Sequence, residues 1–514
     1  MLNDQGWLLS VALFLPLAGA ALLTVMPSSA GALIKRAAVV WTGLSLAVVT
    51  VITAGFDFGD AGALQYQTTV GWIDAIGARY HLGIDGISLP LFFLTYLLTF
   101  LCAIYTTRHM PSPDKPKGFL ALMMLLQTGM AGTFVAFDLV LFFVFWELVL
   151  VPMYFMIGIW GGPRRQYASV KFFLYTLFGS VFMLVGFLSI YFAARGSVTN
   201  PWDIVELSQA AGFGSSTFQT WAFLGVFLGF AIKVPMWPFH TWLPDAHTEA
   251  PTAGSVLLAG VLLKMGTYGF IRIALPILPD GAMRFAPMIG VLAVIGIIYG
   301  SLCCIAQSDV KRLIAFSSVG HMGFVMLGIA SMTETGIQAA LYGNIAHGVV
   351  TGMLFFLAGS LHERYHTRDI ATIGGGMLVK MPRYGALLVY VSMASLGLPG
   401  LAGFWGEFTA LWAARSPAET LVANGYSGLY LALVIGGAVG TVLTAGYFLW
   451  LIQRVGLGRP TGRWVEAPLA DVMSIEWVSW TPLLLLILAM GVAPVIVFGV
   501  QDAAVTDLVS YMTP

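Results

Sequence analysis

The chain has 514 residues, 58% of them hydrophobic and only 9% charged, and its 24 basic side chains balance 24 acidic ones. Soluble domains carry roughly 25% charged residues, so a mean hydropathy of +0.87 excludes that class. No nucleic-acid partner is expected. The three cysteines, Cys102 and the adjacent pair Cys303 and Cys304, lack the spacing of an iron–sulfur or zinc site and read as buried packing thiols.

Apolar runs long enough to cross a ~30 Å hydrocarbon core recur along the chain. In lipid they must be helices, because backbone groups there have to bond within their own segment. The pattern predicts about 14 spans, near 5–26, 33–54, 84–108, 117–136, 138–160, 167–194, 217–246, 252–275, 286–306, 308–331, 336–361, 383–412, 428–453 and 475–500. The first run has no basic segment before it, only Asp4, and reads as a retained helix rather than a signal peptide. The longest connections, near 55–83, 195–216, 361–382 and 454–474, leave no room for a soluble domain. Gly374 to Met377 is a loop cluster without the strand and helix a phosphate-binding turn requires.

Basic residues set orientation. Odd-numbered loops and their margins carry 17 Lys and Arg, even-numbered ones carry 5, and Lys233 and Lys264 complete the total. The odd loops therefore face the cytoplasm, and both termini are predicted on the opposite, periplasmic side of a bacterial cytoplasmic (inner) membrane.

Two spans contain what membrane helices avoid. AIKVPMWPFHTWLPDAHTEAP carries Pro235, Pro238, Pro244 and Pro251, and ASLGLPGLAGFWGEF carries Gly397, Pro399, Gly400, Gly403 and Gly406. Proline removes a backbone donor and clashes with the preceding turn, so spans 7 and 12 should be discontinuous. Each is the fourth of a five-span unit, and an odd-numbered unit must reappear inverted. Asp138 opening span 5 matches Asp309 opening span 10. The predicted fold is an all-α polytopic membrane protein. It has N-terminal helices 1–3 (1–110), a first five-helix repeat (117–275), a second, inverted one (286–453) and a closing helix (475–500).

Charges inside these runs are expensive, about 2.5–3.5 kcal/mol each even on lenient scales. Glu147 lies nine residues into span 5, about 13 Å along a helix, and Lys233 stands beside the first break. An opposite charge within ~4–6 Å favours both ionised forms and burial favours both neutral ones, so separating such a pair releases or captures a proton. The alternative is a static bridge pinning two helices. Lys264 lies about 18 Å into span 8, too deep to snorkel, and suits a relay. His321 and His347, with Ser317, Ser318, Asn344 and Thr351, form a polar string between the two breaks, either as proton carriers or as packing residues. Glu407, beyond the second break, is placed for an exit carboxylate or a capping role. Asp138, His240 and His247 are secondary candidates, and Lys171, Lys311 and Arg312 read as interfacial. No metal site is expected.

FFVFWELVLVPMYFMIGIWGG, AIKVPMWPFHTWLPDAHTEAPTAGSVLLAGVLLKMGTYG, DVKRLIAFSSVGHMG and GLPGLAGFWGEF together resemble the subunit M (chain 4) family of NADH–quinone oxidoreductase, respiratory complex I, over essentially the whole chain. The resemblance implies that Glu147 pairs with Lys233. It also implies that Lys264 continues the path, which crosses His321 and His347 to Glu407. The last residue is usually Lys in the sister subunits L and N. It implies a proton-pumping subunit without its own redox centre. Subunits L and N would be neighbours, and FMN, iron–sulfur clusters and quinone would lie elsewhere in the complex. A Mrp-type sodium/proton antiporter subunit and the membrane subunit of a proton-pumping hydrogenase share these motifs and remain alternatives.

Overall fold

The computed structural model describes residues 6–210, 213–460 and 462–512; Asp4 and the side chain of Arg463, both used above, lie outside the described residues. Among the described residues, thirteen helices are long and apolar enough to cross a bilayer. Span 7 is split into Ser216–Lys233 and Trp242–Glu249, and span 12 into Pro382–Ser395 and Ala402–Arg415.

The last of the thirteen, Val495–Met512, lies along one face instead of crossing. Near its start Val500 packs on Gly86, and further on Asp507 packs on Gly62, both in the connection after span 2. Between them, Gln338 donates to Asp502 (2.7 Å) and Thr506 donates to Glu334 (3.1 Å), at the first turns of span 11. With this helix set aside and the two split spans included, the bundle has fourteen crossings. The predicted closing span, 475–500, ends earlier than expected: its helix is Ser474–Val492. Pro494 follows at once and cannot donate to a continuing helix.

The connection 55–83 holds an antiparallel hairpin, β1 (Gln65–Ile73) and β2 (Ala78–Ile84), that the sequence reading missed. Its second strand lies on the face where span 5 begins, Phe137 N–H donating to the His81 carbonyl (2.9 Å).

The two five-helix units share a hydrogen-bond signature. Asp138 N-caps span 5 through Val140 and Leu141, and Asp309 N-caps span 10 through Arg312. Asp138 forms an antiparallel bridge with Asp203, and Asp309 forms one with Asp369. Asp203 and Asp369 each cap a short helix, Ile204–Gln209 and Ile370–Ile373. The backbone pairs match as well: Leu139 N–H to Trp202 O and Ile204 N–H to Phe137 O (both 2.8 Å) in one unit, Val310 N–H to Arg368 O (3.0 Å) and Ile370 N–H to Ser308 O (2.7 Å) in the other. The same device closes opposite ends of the bundle, as inversion requires.

Burial concentrates where the units meet. In the most apolar stretches of Thr252–Ile277 and Val310–Ala330, 94% of the residues are buried, and 89% in that of Glu334–Tyr365, against 28% in those of Gly31–Gly55 and Ser427–Gly456 at the periphery. Small residues permit this closeness: a Cβ on Gly406 would stand 2.8 Å from Gly343 Cα.

Candidate functional site: a buried file of titratable side chains

The first break is built by proline and repaired by its neighbours. Pro235 has no N–H for the Ala231 carbonyl, which accepts from Met236 N–H instead (2.9 Å). The Ile232 carbonyl accepts from the Trp242 indole N–H (2.9 Å). Lys233 is thereby left as the last helical residue before irregular backbone and is 1% exposed. The second break turns on Gly397 (φ +83°) and Gly400 (φ +90°), left-handed positions that a side chain disfavours.

The structure does not place Glu147 and Lys233 in a direct hydrogen-bonded pair. Nζ of Lys233 and Oε1 of Glu147 are both buried without a hydrogen-bond partner. The ammonium stands instead over the Trp146 ring, 5.0 Å from its centroid. Trp146 was not singled out from sequence, where an aromatic in FFVFWEL reads as packing.

Lys264 sits between two π-helical turns, Leu258–Leu262 and Phe270–Ala274, in a fully buried stretch. Its Nζ donates to the Ala259 carbonyl and lies 2.6 Å from His347 Nδ1. The buried lysine that lacked a partner in sequence therefore has an imidazole one. The His347 ring is 5.7 Å, centroid to centroid, from His321. Nδ1 of His321 is 2.6 Å from Oε1 of Glu407, and its Nε2 is 3.1 Å from Ser395 Oγ. His347 Nε2 and Glu407 Oε2 remain buried and unpartnered. These two histidines, Thr351, Ser395 and Glu407 line a cavity with about 30 Å³ for water centres, room for about two waters. Lys264, His347, His321 and Glu407, drawn from four different spans, thus form one buried chain.

Other candidates are sorted by their surroundings. Asp138 spends its carboxylate on backbone donors, Val140 (2.9 Å), Leu141 (3.1 Å) and Arg79 (2.9 Å), as a cap does. His240 meets Tyr299 edge-on at 5.0 Å with Nδ1 unpartnered. His247 is fully buried, stacked on Phe355 at 4.4 Å, with both ring nitrogens unpartnered and within electrostatic range of Lys264 and Lys311. Lys311 is not interfacial as expected: it is 4% exposed and its ammonium donates to the Ala250 carbonyl. Ser317 and Ser318 bond back to the Ile314 carbonyl, whereas Asn344 accepts from Thr267 (2.9 Å) beside Lys264. Cys303 is half-buried; Cys102 and Cys304 are buried.

The fold and this file define a multi-pass, antiporter-like membrane protein. The family described as NADH:quinone oxidoreductase/Mrp antiporter, transmembrane, matches residues 136–427, more than half of the chain. NADH-quinone oxidoreductase subunit M of Rhodobacter capsulatus is 40% identical, the alignment covering 98% of this chain and 96% of that protein. NAD(P)H-quinone oxidoreductase chain 4 1 of Nostoc sp. is 37% identical, covering 98% and 91%. A chain of respiratory complex I from Thermus thermophilus with bound NADH superposes with a TM-score of 0.85 at 29% identity, covering 98% of this chain and 100% of that one. A chain of the Mrp complex from Dietzia superposes at 0.83 with 21% identity, covering 99% and 100%, which shows a shared fold. The chain belongs to the NADH:quinone oxidoreductase/Mrp antiporter family and, within it, to subunit M of NADH-quinone oxidoreductase.

Proposed function

We propose that the file Glu147, Lys233, Lys264, His347, His321 and Glu407 moves protons through this antiporter-like subunit of complex I, driven by quinone reduction elsewhere in the complex. The observation that carries the reading is the buried series Lys264–His347–His321–Glu407, with contacts of 2.6 Å at both ends and the two imidazoles 5.7 Å apart, centroid to centroid, beside a cavity that can hold water. Amine, imidazole and carboxylate exchange protons over such distances, and imidazole takes one proton on one nitrogen while releasing another from the second. The Lys233 end supplies the switch, since its ammonium is within electrostatic range of the Glu147 carboxylate but not hydrogen-bonded to it. His247, buried with two unsatisfied nitrogens and within electrostatic range of Lys311 and Lys264, joins the file as an accessory carrier; Asp138 serves as a cap.

In this reading the neighbours in the membrane arm are the antiporter-like subunits L and N. FMN, iron–sulfur clusters and quinone belong to other subunits. The location is the bacterial inner membrane with both termini periplasmic, following the 17-to-5 basic bias. The units 117–275 and 286–453 each carry one broken helix, with 1–110 and 475–500 flanking them. Identity of 40% to a subunit M over 98% of the chain favours complex I over the antiporter alternative.

The test is a high-resolution map of the intact complex between Lys233 and Lys264, where Val234 and Phe230 pack against Gly266. Ordered water bridging the two amines in a turnover state is expected. Dry apolar packing there in every state would contradict a continuous path.

A further inference from the structure

Lys233 is 1% exposed, and its ammonium has no hydrogen bond. A buried charge without a hydrogen bond is costly, so the groups that face it matter. The Glu147 carboxylate acts on it at electrostatic range, and the group in contact is the indole face of Trp146, with Nζ 5.0 Å from the ring centroid. Trp146 directly precedes Glu147 in the helix Leu139–Leu148, so the two side chains leave the helix about 100° apart. The flexible lysine side chain, with its rotatable four-carbon stem, therefore has two neighbouring faces of one helix to choose between.

The ring is firmly fixed. Trp146 is 1% exposed, its Nε1–H donates to Ser180 Oγ (2.9 Å), and that hydroxyl donates to the Thr176 carbonyl (3.0 Å). It meets Phe230 edge-on at 5.4 Å and stacks on Phe142 at 5.7 Å. Phe230 lies three residues before Lys233 on the same helix, so one aromatic contact sets both the ring and the base of the lysine.

We propose that the Trp146 ring face is a second seat for the Lys233 ammonium, which alternates between it and the Glu147 carboxylate as the relay turns over. The inference rests on the relay reading above and adds the resting place of the cation when the pair is open. Trp146 takes no proton; it is a positioning residue that keeps the charged amine in the file after it leaves the acid. Trp has the strongest ring quadrupole of the aromatic side chains, which gives this position a reason to be indole.

The experiment replaces Trp146 site-specifically with mono- to tetrafluorotryptophan in the whole complex, reconstituted in vesicles. Fluorination drains the ring quadrupole with little change of shape. The logarithm of the pumping rate should fall stepwise with fluorine number, by about tenfold over the series, while NADH oxidation by an artificial acceptor stays constant. Trp146→Phe should pump between native and Trp146→Leu. Lys233→Ala is the companion measurement. If it fails to pump while the fluorinated series stays flat, the ring seat is overturned and the relay survives. If Lys233→Ala pumps as the native complex does, the relay falls and the seat with it.

Discussion

Glu407→Gln, compared with Glu407→Asp, probes the outlet of the file. Oε1 of Glu407 is 2.6 Å from His321 Nδ1, while Oε2 is buried without a partner beside a cavity with about 30 Å³ for water centres. Glutamine keeps the shape and one acceptor but removes the charge and the ability to bind a proton. Hydrogen bonds to charged groups contribute about 1.5–3 kcal/mol, neutral ones about 0.5–1.5. Roughly 1.5 kcal/mol of the His321–Glu407 contact is therefore lost, equivalent to about tenfold, before the missing proton acceptor is counted. Aspartate retracts the carboxylate by one methylene, about 1.5 Å, which a water in the cavity can span. We expect at least a tenfold loss of pumping for Gln and no more than about threefold for Asp. Proton uptake by fluorescence quenching, measured with NADH:quinone turnover on the same vesicles, gives the comparison. Equal pumping in the two variants would refute a protonatable outlet.

Lys264→Arg should be nearly as damaging as removal of the amine, because guanidinium does not deprotonate and cannot pass a proton to His347; pumping above half the native rate would contradict this. Asp138→Ala should cost about 1–2 kcal/mol as a lost cap, lowering the thermal midpoint of the purified complex while protons pumped per electron stay unchanged. Arg272→Met should destabilise the fold by about 3–5 kcal/mol, since it removes the cation from buried Asp85, whose two oxygens meet one guanidinium nitrogen at 2.7 and 2.5 Å. Adding Asp85→Asn, which removes the uncompensated charge and keeps an acceptor for Ile87 and Ser88, should restore most of the assembled subunit seen on native gels.

What the sequence made legible is what local chemistry decides. Pro235 and Pro238 withhold two backbone donors within four residues, and the first half of span 7 ends at Lys233. Gly397 and Gly400 adopt left-handed angles at the second break, between Ser395 and Ala402. Matching Asp138 with Asp309 was a faint signal of a full backbone motif repeated in both units. Pairings across long separations were not legible. Lys264 meets His347 from 83 residues away, and His321 meets Glu407 from 86, contacts that only the packed bundle creates. Charge complementarity made the electrostatic coupling of Lys233 to Glu147 legible, whereas the direction of the lysine side chain, over Trp146, was not. Lys311 was taken for interfacial because it opens a span, yet the chain folds Ala250 over it. The hairpin at 65–84 escaped because neither strand alternates buried and exposed residues: the first is mostly exposed and the second mostly buried.

The most direct test of a switchable ion pair within a buried proton path is the ratio of protons pumped to electrons transferred in assembled Glu147→Ala and Lys233→Ala complexes. The account predicts intact assembly, slowed coupled turnover and loss of pumping through this subunit in both. Native ratios at native turnover in both variants would contradict it.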